Sequence, residues 1–112
     1  RFVISIENKY PVGLIDLFDF DPINHRAGIG IVINNTQRKK GYAIKSVKLI
    51  EDYSRKNLQI HQLYVNVRVD NQNSLDLFKK LGYVEIGIKK DWNYLDGQYI
   101  DEVLFQKILG SE

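Results

Sequence analysis

The chain has 112 residues, of which 44% are hydrophobic and 27% charged, enough apolar content for one domain with a real core and no low-complexity stretch to suggest disorder. Its net charge of +2, with acidic residues interleaved among the basic ones, leaves no footprint for nucleic acid. The absence of cysteine excludes disulfides, thiolate metal sites and a cysteine nucleophile, and no apolar run approaches the roughly 20 residues of a membrane helix.

With no signal-peptide pattern either, the composition reads as a cytoplasmic protein with no metal, no membrane and no nucleic-acid partner. The chain begins at Arg1 rather than Met, already inside a strand-like run, which reads as a processed or truncated piece of something longer.

Arg1 to Glu7, rich in β-branched and aromatic residues, predicts a first strand, and Asn8-Lys9 a turn. Val12 to Phe18 predicts a second strand antiparallel to it. Asp21-Pro22 is a turn signal, and Arg26 to Ile33 a third strand. Gly28 and Gly30 within that strand suggest a bulge, a close approach by something else, or packing against a neighbour.

A helix is predicted from about Gly41 to Arg55, with Ile44, Val47, Ile50 and Tyr53 at helical spacing and Lys45, Lys48, Glu51 and Asp52 on the wet side. His61 to Val67 predicts a fourth strand. A second helix follows from about Gln72 to Leu81, capped by Asn71 or Asp70 and stopped by Gly82. Tyr83 to about Trp92 and Tyr99 to about Ile108 then form a hairpin through Leu95-Asp96-Gly97-Gln98. The order is β-β-β-α-β-α-β-β, with neither repeat nor linker.

The stretch Thr36-Gln37-Arg38-Lys39-Lys40-Gly41-Tyr42-Ala43 passes from a buried strand into a helix over a glycine. Such a passage exposes a fan of unpaired N–H groups at the positive end of the helix dipole, a site suited to phosphates. The plainer reading is a helix start with a solvated basic run.

Two motifs decide between them. Arg38-Lys39-Lys40-Gly41-Tyr42-Ala43 matches the acyl-CoA signature of the GNAT acetyltransferase superfamily, Gln/Arg-x-x-Gly-x-Gly/Ala. Asn71-Gln72-Asn73-Ser74, followed by Leu81-Gly82-Tyr83, matches its second signature. With this element order the whole chain resembles that superfamily, and most of all its bacterial polyamine (spermidine/spermine) and ribosomal-protein N-terminal acetyltransferases. The finer likeness lies in Pro11 to Leu17, His25-Arg26-Ala27 and Asp96-Gly97-Gln98-Tyr99.

The resemblance implies an α+β fold of the three-layer type, with a mixed, mostly antiparallel sheet flanked by helices. The family usually has one further strand and two helices before this segment. It also implies acetyl-CoA as co-substrate, attacked directly by a primary amine, either a polyamine or a protein N-terminus.

On the same ground, backbone N–H groups around Arg38, Lys39, Lys40, Gly41, Tyr42 and Ala43 hold the diphosphate. The backbone of Ile31, Val32 and Ile33 receives the pantetheine arm where the third and fourth strands splay apart, and an N–H near Ile31 polarises the carbonyl. Asn71 holds the CoA arm, or serves as a cap, or both. The family's tyrosine proton donor falls at Phe78, which has no proton to give. Ser74 stands where the ribosomal-protein branch uses a serine for that task.

For the base, Asp16, His25, Asp91 and Asp101 are candidates, and Asp16, mid-strand between Ile15 and Leu17, is preferred. Trp92, Tyr94 and Tyr99 could line an amine site or simply pack the hairpin. The expected partner is a second copy of the chain, in a homodimer through the exposed sheet edges. The alternatives are a GNAT-like module that binds acyl-CoA without turnover and, more remotely, a nucleic-acid module resting on Arg38-Lys39-Lys40.

Overall fold

The computed structural model describes residues 2–6, 10–33 and 40–110, with side chains over 13–32 and 41–110. Eight elements follow the expected order: β1 (Phe2–Ile6), β2 (Tyr10–Asp21), β3 (Arg26–Ile33), α1 (Lys40–Asn57), β4 (Gln62–Arg68), α2 (Gln72–Lys80), β5 (Val84–Leu95) and β6 (Gln98–Ile108). They build one six-stranded sheet in the order β1-β2-β3-β4-β6-β5.

Local chemistry explains most boundaries. Asn71 caps α2, its Oδ1 accepting from Ser74 N–H at 3.2 Å. At the other end Tyr83 N–H reaches Phe78 O and Gly82 N–H reaches Lys79 O. Gly82 sits at φ +92°. This is a Schellman stop, and the ring contact that completes it is Phe78 against Tyr83, edge-on at 5.0 Å. Leu81-Gly82-Tyr83 is thus a helix terminator with a physical reason for each residue. The β5–β6 hairpin turns on Asp96 (φ +50°) and Gly97 (φ +78°), both left-handed as a two-residue type I′ turn requires.

All neighbouring strands run antiparallel except β3 and β4, which are parallel and joined by the α1 crossover. Alternation along the strands sorts the side chains onto two faces. One face carries Ile15, Ala27, Ile29, Leu63, Val65, Val67, Val103 and Phe105, which join Val47 and Ile50 of α1, Phe78 of α2 and its C-cap Leu81 in a single buried core. Both helices therefore cover the same face, so the described residues supply the sheet and one helical layer. The opposite face carries Asp16, Phe18, Gly28, Gly30, Tyr64 and Asn66, and no described helix covers it.

Two boundaries differ from expectation. Gly41 is not a turn residue. It is the second residue of α1, which starts at Lys40 and runs on to Asn57. The bulge expected at the glycines of β3 lies elsewhere. The β2–β3 register is unbroken from Gly13↔Ile33 to Phe18↔Gly28, and it shifts only between Phe18 and Asp21, where Asp19 adopts φ +50°. Gly28 leaves room for the Phe18 ring: a Cβ there would overlap the ring, with Cδ2 2.9 Å away, and the ring would have to shift.

Candidate active site

The β3–β4 pairing is short. It holds Arg26↔Gln62, Ala27↔Leu63 and Gly28↔Tyr64, and then stops. From Ile29 to Ile33, β3 keeps its β2 partners on one side and has no strand partner on the other among the described residues. N–H and C=O groups alternate in direction along a strand, so every second pair of this segment faces the gap. Ile31, Val32 and Ile33, expected to meet a pantetheine arm, lie on the β3 side of this fork, and the Ile33 side chain lies outside the described residues. Pairing ends because the chain diverges: after β3 it must reach the start of α1, while β4 continues towards α2.

Each helix follows in sequence from the C-terminal, open end of a fork strand, α1 after β3 and α2 after β4. The N–H groups of Lys40, Gly41 and Tyr42 occupy the first turn of α1 and have no intrahelical acceptor, whereas that of Ala43 is the first to bond back along the helix. No acidic residue stands in that turn to compete for them. A Cβ on Gly41 would meet nothing within 4 Å, so the backbone there is open to close approach from outside. Ala43, by contrast, is small because it is buried against the core. Arg38 and Lys39 lie outside the described residues, as does the Lys40 side chain.

On α2, the cap bond uses only the Oδ1 of Asn71. The Nδ2 donors make no hydrogen bond among the described residues, so capping and holding a ligand are compatible in one asparagine. Ser74 follows at the third helical position; because Asn71 is the cap, the Ser74 hydroxyl is not used for capping. Phe78, one turn further on, is 1% exposed and lies wholly within the core.

The candidate bases scatter. Asp16 pairs with Gly30 across β2–β3, beside the fork and on the face away from the helices. His25 is at the wrong end: it precedes β3 at φ +58°, and its Nδ1 meets Gln59 O at 3.0 Å, at the closed end of the β3–β4 pair. Asp101 is occupied. Its Oδ1 accepts from the Asp91 N–H at 2.8 Å and Oδ2 stands 3.4 Å from Lys90 Nζ. The Asp91 N–H bond, the largest effect, holds the Asp101 carboxyl below the usual range against the opposing effect of burial, with a smaller contribution from the Lys90 charge, which makes it a weak base. Asp91 belongs to the same β5 bulge at φ +51°. Trp92 carries Lys89 Nζ 4.4 Å from its ring centroid. Tyr94 and Tyr99 pack on each other at 5.0 Å.

A polar strip on the uncovered face escaped the sequence reading. Lys89 Nζ donates to Asn66 Oδ1 at 2.8 Å and pairs with Glu102 Oε1 at 3.1 Å, while Asn93 Nδ2 donates to Glu102 Oε2 at 3.1 Å. Alternation in β4 and β6 put these residues on one face, but only the strand order shows which strands are neighbours. Among the described residues, no group of His, Asp and Glu has metal-binding geometry, and no helix is long and apolar enough to cross a membrane.

Comparison with known proteins gives this geometry a context. The spermidine N(1)-acetyltransferase of Vibrio cholerae is 31% identical over 101 residues, covering 90% of this chain and 58% of that protein. The ribosomal protein uS5 alanine N-acetyltransferase of Escherichia coli is 30% identical over 80 residues, covering 71% of this chain and 41% of that one. Among solved structures, a mutant of the Vibrio cholerae spermidine N-acetyltransferase superposes with a TM-score of 0.88 at 27% identity, over 96% of this chain and 63% of that one. The chain therefore spans well under two thirds of the length of these relatives. Residues 1–84 match the acetyltransferase (GNAT) domain family. The chain belongs to the GNAT acetyltransferase family.

Proposed function

We propose that this chain forms the donor-binding part of an acetyl-CoA-dependent N-acetyltransferase that acetylates a primary amine by direct attack. The observation that carries this reading is the β3–β4 fork, whose two strands lead in sequence into α1 and α2. Acetyl-CoA supplies an activated acetyl thioester, and the site fits it in two ways. The open space at Gly41 and the unpaired amides of Lys40, Gly41 and Tyr42 suit a diphosphate, and the unpaired edge of Ile29 to Ile33 suits an amide-rich arm.

The chain's own groups then have defined tasks. Backbone N–H groups near Ile31 stabilise charge on the carbonyl oxygen. The Asn71 amide donates to the pantetheine arm. Asp16, directly or through water, takes the proton of the attacking amine. That step is needed because an amine of pKa about 10.4 is only about one part in 10³ neutral near pH 7. The new C–N bond forms as the C–S bond breaks, and the Ser74 hydroxyl passes a proton to the departing sulfur as it takes one from water. Loss of such a donor slows catalysis by roughly 10²–10⁴-fold without abolishing it.

A polyamine such as spermidine is the favoured acceptor and a protein N-terminus the second, on the strength of the two groups of relatives. A homodimer is the proposed assembly: β5 is a free edge with Val84, Ile86 and Ile88 each about half exposed or more. One related structure is described as dodecameric.

The competing reading is a module that binds acyl-CoA without turnover, and the burial of Phe78 where a proton donor is expected favours it. Acetyl-CoA at millimolar concentration should raise the melting temperature by binding the native state, and free thiol should appear with an amine panel. No thermal shift overturns both readings, and a shift without thiol release selects the module.

A further inference from the structure

The uncovered face of the sheet carries an aromatic corner at the fork. The Phe18 ring lies directly on the β3 backbone, where a Gly28 Cβ would overlap it, and its Cε1 edge is 3.7 Å from the corresponding point over Gly30. Tyr64 meets it edge-on, with centroids 6.0 Å apart and planes at 87°. Gly28↔Tyr64 is the last rung of the β3–β4 pair, so the two rings mark the apex of the fork. The Tyr64 pKa is raised chiefly by burial and then by the nearby Asp19 carboxylate. With the backbone beneath its ring and Tyr64 beside it, Phe18 still remains 38% exposed.

Access to the fork is one-sided. Ile29, Val65 and Val67 face the helices and are sealed in the core with Val47 and Phe78. An acceptor must therefore cross the other face, and there it passes Phe18, with Asp16 two residues back on the same strand. A ring face next to carboxylates attracts a cationic or alkyl chain and repels an anion.

We infer that Phe18, braced by Gly28 and Tyr64, is the wall of the acceptor site and determines its preference for aliphatic ammonium substrates. This rests on the acetyl-transfer reading, so the wild type is assayed alongside the variants. Steady-state kinetics are measured with spermidine and with an acceptor carrying a carboxylate, for wild type, Phe18→Ala and Phe18→Tyr. In Phe18→Ala the KM for spermidine should rise about five- to thirtyfold, the range expected for losing a cation–π wall. The KM for acetyl-CoA should stay within about twofold, because the donor is held by other elements. Phe18→Tyr, which keeps the ring, should stay near wild type. If Phe18→Ala leaves the spermidine KM unchanged, or moves both KM values together, the inference fails while the acetyl-transfer reading stands. A wild type that acetylates neither acceptor overturns both. Should Phe18→Ala fold poorly, Phe18→Leu, which keeps an apolar contact on Gly28 but no π face, takes its place with the same two outcomes.

Discussion

Lys107 is the most heavily committed charged residue among those described, and its replacement by Met tests how the two helices are tied to the sheet. From β6 its Nζ donates to Glu51 Oε1 at 3.0 Å and Oε2 at 3.2 Å on α1, and to Leu81 O at 2.7 Å just past α2. Glu51 is buried, and no other cation is paired with it among the described residues. Lys107→Met keeps an unbranched apolar stem but leaves a buried carboxylate and a helix-end carbonyl without a donor. Breaking a fully buried pair in this way costs about 3–5 kcal/mol. The Lys107 side chain keeps 25% of its surface exposed, so water screens part of the loss. A cost of about 2–3 kcal/mol is expected on that account. At about 4–6 °C per kcal/mol for a chain of this size, the melting temperature should fall by about 8–18 °C. Glu51→Gln combined with Lys107→Met removes the stranded charge and should recover at least about half of that loss. Calorimetry or circular dichroism on the four corners of this cycle reads the coupling directly. A drop of less than about 3 °C in the single variant, or purely additive effects, would refute the view that this pair locks α1, α2 and β6 together.

Other perturbations separate structural from functional roles. Tyr83 is 4% exposed, and burial first, then the Glu51 carboxylate, pushes its phenol far above its ordinary pKa, although no atom stands in hydrogen-bond geometry to the hydroxyl. A folded-state pKa above the unfolded value of about 10 means stability is fully present below pH about 10 and is lost as pH rises beyond it, because only the unfolded chain releases that proton. Tyr83→Phe should flatten this alkaline loss, and should be neutral or stabilising by up to about 1 kcal/mol near pH 7, since no bond is broken; equal alkaline slopes in urea titrations would contradict this. Phe78→Tyr places a hydroxyl in the core, where it should cost about 1–3 kcal/mol and leave kcat no higher, whereas a raised kcat would show that the side chain reaches the fork. Asn71→Ser keeps a capping oxygen and removes the amide donors, so the melting temperature without ligand should shift by less than about 3 °C while the acetyl-CoA-induced shift shrinks. Asn71→Ala should in addition cost about 1 kcal/mol without ligand, and identical acetyl-CoA responses in both variants and wild type would remove Asn71 from the site.

Local chemistry made much of this protein readable before any coordinates. The order of elements follows from hydrophobic period and turn residues. Asp96-Gly97 could only be a tight left-handed turn, Gly82 could only stop a helix, and Asn71 sat where α2 needed a cap, because these are demands made by a few neighbouring residues on one another. The two signatures pointed to the family for the same reason: the atoms that would hold a diphosphate belong to consecutive residues of one turn. Strand order, by contrast, is set by pairings between distant residues, and everything that depends on it was hidden. That Gly28 exists for Phe18 and not for a bulge, that His25 lies at the closed end of the fork and Asp16 beside its open part, and that Lys107 reaches Glu51 across 56 positions could not be read along the chain. The fork was expected only through the family resemblance and not from the residues themselves. A strand that loses its partner after Gly28 looks in sequence like any other run of Ile and Val, and only the tertiary divergence of β3 and β4 leaves the backbone edge exposed.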